Sequence, residues 1–212
     1  MKRFVWLPLW LATGLVAGSA MAQDVRLTAD RLETTFVVNG QSHTIARNQD
    51  QAALLTGEFA RTARACPPAC ITPVSAAPGV ATVAELEVIA FLQTRVSAGT
   101  GLLLDSRLPE FHGRGSIPAA INVPFATLQQ DNPYLRDILL ALGAVDRDGT
   151  LDFADALDLM LFCDGAWSGQ SPRAVTNLLA AGYPADKLFY YRGGMQDWLG
   201  LGLTSIVPGD AG

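Results

Sequence analysis

Cys163 ends the apolar run Leu159–Phe162, and a loop with two glycines, Gly165 and Gly169, separates it from Ser171-Pro172. A short apolar run suits a buried strand. Ser171 has the chemistry of a helix N-cap, and Pro172 is favoured at a first helical position. Val175, Leu178 and Leu179 then give an apolar helical face. The order predicts strand, turn and helix, with Cys163 at the carboxyl end of the strand, where open α/β sheets bind ligands. Glycines let the turn aim N–H groups inward, and the helix N-terminus adds positive potential, so Asp164–Gln170 reads as an anion cradle. The same field favours thiolate over thiol. A thiolate beside an anion site suits attack on an anionic sulfur or phosphorus compound. The competing reading, a buried cysteine packed as a small hydrophobe, stands level on these residues alone.

The other two cysteines, Cys66 and Cys70, lie in Cys-Pro-Pro-Ala-Cys, where a local disulfide is the simplest pairing. The compartment bears on that choice. Lys2 and Arg3 precede an apolar run from Phe4 to Val16, and Ala20-Met21-Ala22 follows. This is the three-part pattern of a signal peptide, with cleavage expected after Ala22 and a periplasmic or secreted product. Such compartments permit disulfides. Loss of residues 1–22 removes two of the 15 basic residues and none of the 20 acidic ones. An acidic chain without a basic cluster argues against nucleic acid as a partner. No later run is apolar enough to span a bilayer, so no membrane association is expected after cleavage.

The elements that must position Cys163 follow from pattern. Thr35–Val38 and Ser42–Ile45 flank Asn39-Gly40, a hairpin signal. Asn48 or Asp50 can cap a helix to about Arg64, and Ile71–Gly79 reads as a linker. Thr82-Val-Ala-Glu85 has the form of a capping box before a helix. Leu102–Leu104, Ala120–Val123, Leu159–Phe162 and Leu188–Tyr191 read as strands. Pro109–His112, Tyr134–Leu142 and Met195–Leu199 read as helical. Alternating strands and helices imply an α/β layer fold around a mostly parallel sheet. The expected organisation is a signal peptide over 1–22, an extension over 23–80, a domain over 81–205 and a tail over 206–212.

Five segments, in order, resemble the rhodanese-like domain. Leu102-Leu-Leu-Asp105-Ser-Arg107-Leu-Pro-Glu110-Phe resembles its first strand and Asp-x-Arg segment. Gly115-Ser-Ile-Pro118-Ala-Ala-Ile-Asn122-Val-Pro124 resembles its Gly-His-Ile-Pro-Gly-Ala-x-Asn-x-Pro segment. Phe162-Cys163 and its loop resemble the active-site loop, and Gly182-Tyr183 and Gly193-Gly194-Met-Gln-Asp-Trp198 the closing signatures. The resemblance spans about residues 82–203. It implies a five-stranded parallel sheet flanked by helices. It also implies a sulfurtransferase in which Cys163 takes sulfane sulfur from a donor as a persulfide and passes it to a thiophilic acceptor, a small molecule or a protein thiol, without metal or organic cofactor. Asp164, Gly165, Ala166, Trp167, Ser168, Gly169, Gln170 and Ser171 would then hold the substrate. Asp105 and Arg107 would brace the loop, and Arg173 would stand behind it inside the helix. An exported subgroup is similar in its Cys-Pro-Pro-x-Cys segment and in a Cys-x-Gly-Pro-x-Cys-x-Gln-Ser loop.

The sequence departs from the pattern at four places. Ser116 stands where the family carries histidine, Ala119 where it carries glycine, and Ser168 where the subgroup carries a second loop cysteine. The loop is also long and lacks a basic residue. A non-catalytic binding module and a thiol–disulfide partner therefore remain open as readings, while the missing loop arginine argues against a phosphatase. His43 and His112 read as solvated, and Asp164 as pointing to solvent. Trp167 reads equally as a pocket wall or a sheet-edge cover, and Trp198 as core. Asp146, Asp148 and Asp152 around Gly149 lack a full calcium-ligand set and read as a solvated turn.

Overall fold

A computed structural model describes residues 23–209. The expected signal peptide lies outside the described residues, as do 210–212. The chain begins with a hairpin, β1 (Glu33–Val38) and β2 (Gln41–Ala46), turning at Asn39-Gly40, both with positive φ. β3 (Ala81–Val83), α1 (Glu85–Phe91) and β4 (Gly101–Asp105) follow. Next come α2 (Pro109–His112), β5 (Ile121–Asn122) and α3 (Leu135–Ala141). A small hairpin, β6 (Val145–Arg147) and β7 (Thr150–Asp152), precedes β8 (Asp158–Phe162). α4 (Gln170–Ala180), β9 (Leu188–Tyr191) and α5 (Gly194–Gly200) complete the domain.

The sheet has five strands in the order β3-β9-β8-β4-β5, all parallel. The fold is α/β, with helices on both faces. β8 is central, and its side chains alternate between two cores. Leu159 and Leu161 face α3 and α4 with Leu139, Val175, Leu178 and Tyr183. Met160 and Phe162 face the other layer with Val88, Leu92, Met195 and Trp198. Burial on both faces explains why this strand reads as a continuous apolar run rather than an alternating one. Phe36 and Ile45 of the first hairpin join the second core, so the extension contributes to the same apolar layer.

Two local expectations fail. The helix expected up to Arg64 is a single 3-10 turn, Gly57–Ala60. Asn48 Oδ1 accepts from Asp50 N and Asp50 Oδ1 from Ala52 N, and such side-chain bonds compete with helical ones. Gly57 then has φ 61°, and Leu54 is 85 % exposed, so no apolar face is buried to stabilise a helix there. Instead of the expected capping box, only its reach-back half forms, two residues further on at Ala84, which has no side-chain acceptor. Thr82 belongs to β3, and Glu87 reaches back to the Ala84 amide at 3.1 Å. The acidic segment around Gly149 is the β6–β7 turn, in which Asp146 accepts from the Gly149 amide at 2.8 Å.

Candidate active site

Cys163 follows the last residue of β8 and is 1 % exposed, with its Sγ 3.4 Å from the Ser168 carbonyl oxygen. Four carbonyls, from Cys163 to Ala166, are engaged. Cys163 O accepts from Met195 N at 3.0 Å and Asp164 O from Gln196 N at 2.8 Å, both at the start of α5. Gly165 O accepts from Ser168 N at 2.9 Å, and Ala166 O from both Thr72 N (2.8 Å) and Thr72 Oγ1 (2.9 Å). The amides of Ala166, Trp167 and Gly169 donate to no group among the described residues. A turn with three such free amides can hold an anion.

The Gly193-Gly194 pair makes this arrangement possible. Gly194 has φ 57°, and a Cβ there would stand 2.3 Å from Cys163 O and 2.7 Å from Gly165 N. Only glycine lets the start of α5 approach the loop closely enough for the two amide contacts. The expected N-cap moves by two residues. α4 begins at Gln170 with Gly169 as its cap, so Ser171 lies in the first turn. Ser171 is fully buried, and its Oγ has no partner among the described residues.

Behind the loop sits a buried ion pair. Arg107 meets the Asp105 carboxylate in a fork, Nε to Oδ1 at 2.9 Å and Nη2 to Oδ2 at 2.6 Å. The Arg107 amide (3.1 Å), Ser116 Oγ (2.8 Å) and His112 Nδ1 (3.0 Å) also reach this carboxylate. Burial pushes the Asp105 pKa up, but the hydrogen bonds from His112, Arg107 and Ser116 and the Arg107 charge outweigh it, and the net shift is downward. His112 is therefore not a solvated histidine. It turns inward from the end of α2, beside the serine that stands in the family histidine position. Asn122 Nδ2 donates to the carbonyls of Asp105 and Arg107 at 2.9 Å each, tying β5 to the same turn.

Asp164 also departs from expectation. Its side chain is 13 % exposed and faces Arg107 Nη1 at 3.9 Å. That is beyond hydrogen-bond reach. Burial therefore outweighs the Arg107 charge and raises the Asp164 pKa, with Asp105 adding to the rise and Ser168 opposing it. A cavity of about 380 Å³ opens in front of the loop, lined by Asp164, Trp167, Gly169, Phe125, Arg173 and Pro68 among others. Arg173 thus lines the cavity rather than standing behind the loop. It supplies the cation that the loop itself lacks, and its guanidinium lies 5.7 Å from the Phe125 ring centre.

Trp167 is a wall of that cavity, and it is itself held. Its Nε1 donates to Gln196 Oε1 at 2.9 Å, and the Arg64 guanidinium stacks 3.8 Å from its ring centre. Arg64 and Thr72 come from the extension and gave no sign of a role in the sequence. Their one readable feature is symmetry, since each lies two residues outside the Cys66…Cys70 pair. Cys66 and Cys70 are joined as a disulfide with Cα atoms 4.6 Å apart, which leaves Cys163 as the free cysteine. Trp198 is buried core and donates to Thr204 O at 2.8 Å.

Three comparisons bear on this site. The rhodanese-like domain model matches residues 89–201, more than half of the chain. No curated protein matches it. Among solved structures, the human single-domain sulfurtransferase TSTD1 is 24 % identical over 56 % of this chain and 95 % of that one, with a TM-score of 0.39. A Rhodopseudomonas palustris protein of unknown function, RPA3614, described as a possible tyrosine phosphatase, is 20 % identical over 59 % and 83 %, with a TM-score of 0.42. A rhodanese-related protein of Thermoplasma volcanium is 17 % identical over 60 % and 98 %, with a TM-score of 0.38. The family model takes in β4, Cys163 with its loop, and the Gly193-Gly194 turn that seats it, and the chain belongs to the rhodanese-like domain family.

Proposed function

We propose that this protein is an exported rhodanese-type sulfurtransferase, working through a persulfide on Cys163. The observation that carries the reading is the loop after β8, where a single buried cysteine precedes a turn in which the carbonyls from Cys163 to Ala166 are engaged and the Ala166, Trp167 and Gly169 amides are free, with the Ser168 carbonyl beside the thiol. The Cys163 thiolate attacks the outer sulfur of a sulfane donor. The donor S–S bond breaks, and its electron pair leaves with the departing group. A thiophilic acceptor then attacks the outer persulfide sulfur, and the electron pair returns to Cys163. The free amides of Ala166, Trp167 and Gly169 balance the negative charge at each stage. Arg173 at the cavity wall attracts an anionic donor.

Asp105 and Arg107 act by position. Their fork fixes the turn after β4, and Ser106 N donates to Phe162 O at 2.9 Å beside the nucleophile. The Cys66–Cys70 disulfide suits an oxidising compartment, in line with the signal pattern at residues 1–22 and with the exported subgroup. Cell fractionation with the full-length gene product tests export, and retention with the reduced cytoplasmic pool contradicts it. Turnover is tested by thiocyanate production from cyanide with a panel of sulfane donors. Activity that vanishes in Cys163→Ala supports the assignment. Absence of turnover with every donor and every acceptor, including protein thiols, favours a non-catalytic binding module.

A further inference from the structure

The nucleophile is closed in, and the segment that closes it carries an exposed disulfide. Cys163 is 1 % exposed, so a reactant reaches Sγ only if the loop shifts. Two groups of contacts oppose that shift from outside. Thr72 donates twice to Ala166 O. Arg64 covers Trp167, and it donates through Nη2 to Gln196 Oε1 at 3.3 Å and to Glu58 O at 2.8 Å. Between Arg64 and Thr72 runs the Cys66–Cys70 turn, closed by the disulfide and by Ala69 N donating to Ala65 O at 2.9 Å. Pro68 and Ala69, inside that turn, line the cavity in front of the loop. Arg192 anchors the far side, donating to Thr72 O at 2.8 Å and to Pro73 O at 3.1 Å. The covalent link therefore holds the two restraining residues at a fixed separation across the loop. Cys66 is exposed and Cys70 half-buried, so the bond is open to attack from solvent.

We propose that the Cys66–Cys70 disulfide is a thiol–disulfide exchange site for a dithiol reductant, and that reducing it opens the loop over Cys163. A thiolate of the reductant attacks the Cys66 sulfur, the Cys66–Cys70 bond breaks, and its electron pair leaves on Cys70. The second reductant thiol then displaces Cys66. Two electrons and two protons pass to the pair, and the reductant becomes a disulfide. The freed turn regains the conformational freedom that closure removed, while Arg192 keeps the segment on the domain. The significance of the exchange rests on Cys163 being the sulfur carrier proposed above, but its detection does not.

The test uses the full mature chain. Cys163 alkylation by iodoacetamide is timed by mass mapping, with the disulfide intact and after dithiothreitol treatment and removal. The expected result is a roughly tenfold faster Cys163 reaction in the reduced chain, the scale of losing one or two hydrogen bonds. Thr72→Val, with the disulfide left intact, is expected to accelerate the same reaction without reductant. An unchanged rate on reduction overturns the proposal, as does a pair that dithiothreitol leaves oxidised in the folded chain. An unchanged rate in Thr72→Val overturns the Ala166 tether as the barrier. Alkylation reads the thiol whether or not it ever carries sulfur. A chain that opens on reduction but never forms a persulfide therefore contradicts the sulfurtransferase reading and leaves the exchange site standing.

Discussion

β8, α4 and α5 hold the Cys163 loop from beneath through buried packing, whereas residues 57–73 hold it from outside through a few polar contacts at half-exposed positions. Beneath, Phe162, Val175, Met195 and Trp198 are all buried, and the Asp105–Arg107 fork is sealed. Outside, the fastening is Thr72 on Ala166, Arg64 on Trp167 and a disulfide. Apolar burial contributes stability that a single change forfeits by kilocalories, while an exposed hydrogen bond contributes about 1 kcal/mol. The inner support should govern whether the domain folds. The outer one should govern how readily Cys163 is reached.

The largest effect should come from splitting the buried pair. Arg107→Ala leaves the Asp105 carboxylate sealed without its main partner, and a loss of about 3–5 kcal/mol in urea unfolding is expected. A loss below about 1 kcal/mol would show that His112 and Ser116 alone satisfy Asp105 and would weaken the contrast. Arg64→Ala, on the outer side, should change unfolding by no more than about 1 kcal/mol while speeding Cys163 alkylation.

The two buried carboxylates should separate by pH. Asp105 titrates below its ordinary 3.8, so its contribution is present above that value and is lost as pH falls through the lower one. Asp164 titrates above 3.8, so its contribution is full below 3.8 and is lost as pH rises through the higher value. Asp164→Asn should therefore be more stable than the parent protein near neutral pH and show a steeper rise from acid. Asp105→Asn should be less stable at neutral pH and should converge on the parent in acid. Unfolding curves across pH check both, and a neutral-pH loss in Asp164→Asn would mean that Arg107 depends on that carboxylate.

Smaller effects probe single positions. Ala119 has φ 62°, where the family carries glycine. Ala119→Gly should gain about 1 kcal/mol, since a left-handed alanine is strained and the gain is partly offset by chain entropy. Ser171→Ala should gain about 1 kcal/mol, because the buried hydroxyl has no partner to offset its desolvation. A slower persulfide loading in the same variant would show that this hydroxyl serves the bound sulfur.

The same contrast explains what the sequence could tell. β4, β8 and β9 announce themselves as apolar runs because both faces of each are buried. The Gly193-Gly194 turn and the Asp105…Arg107 spacing are readable because backbone geometry demands those residue types. The extension is different. A helix to Arg64 fits local propensity, but no buried face supports it, and Asn48, Asp50 and Gly57 turn the chain instead. His112, Arg64 and Gln196 reach their roles across gaps set by tertiary packing, which no local pattern encodes. Asp164 escapes a sequence reading for the same reason. Whether it meets solvent or Arg107 depends on how the turn after β4 lies against the loop.

The most direct test of the central claim is the intact and peptide mass of the mature protein after incubation with a sulfane donor panel and alkylation of remaining thiols. The account predicts one added sulfur atom on the Cys163 peptide, removed by cyanide, with Cys66 and Cys70 still joined. A Cys163 that is alkylated without added sulfur after every donor, in a folded chain whether its disulfide is intact or reduced, would contradict it.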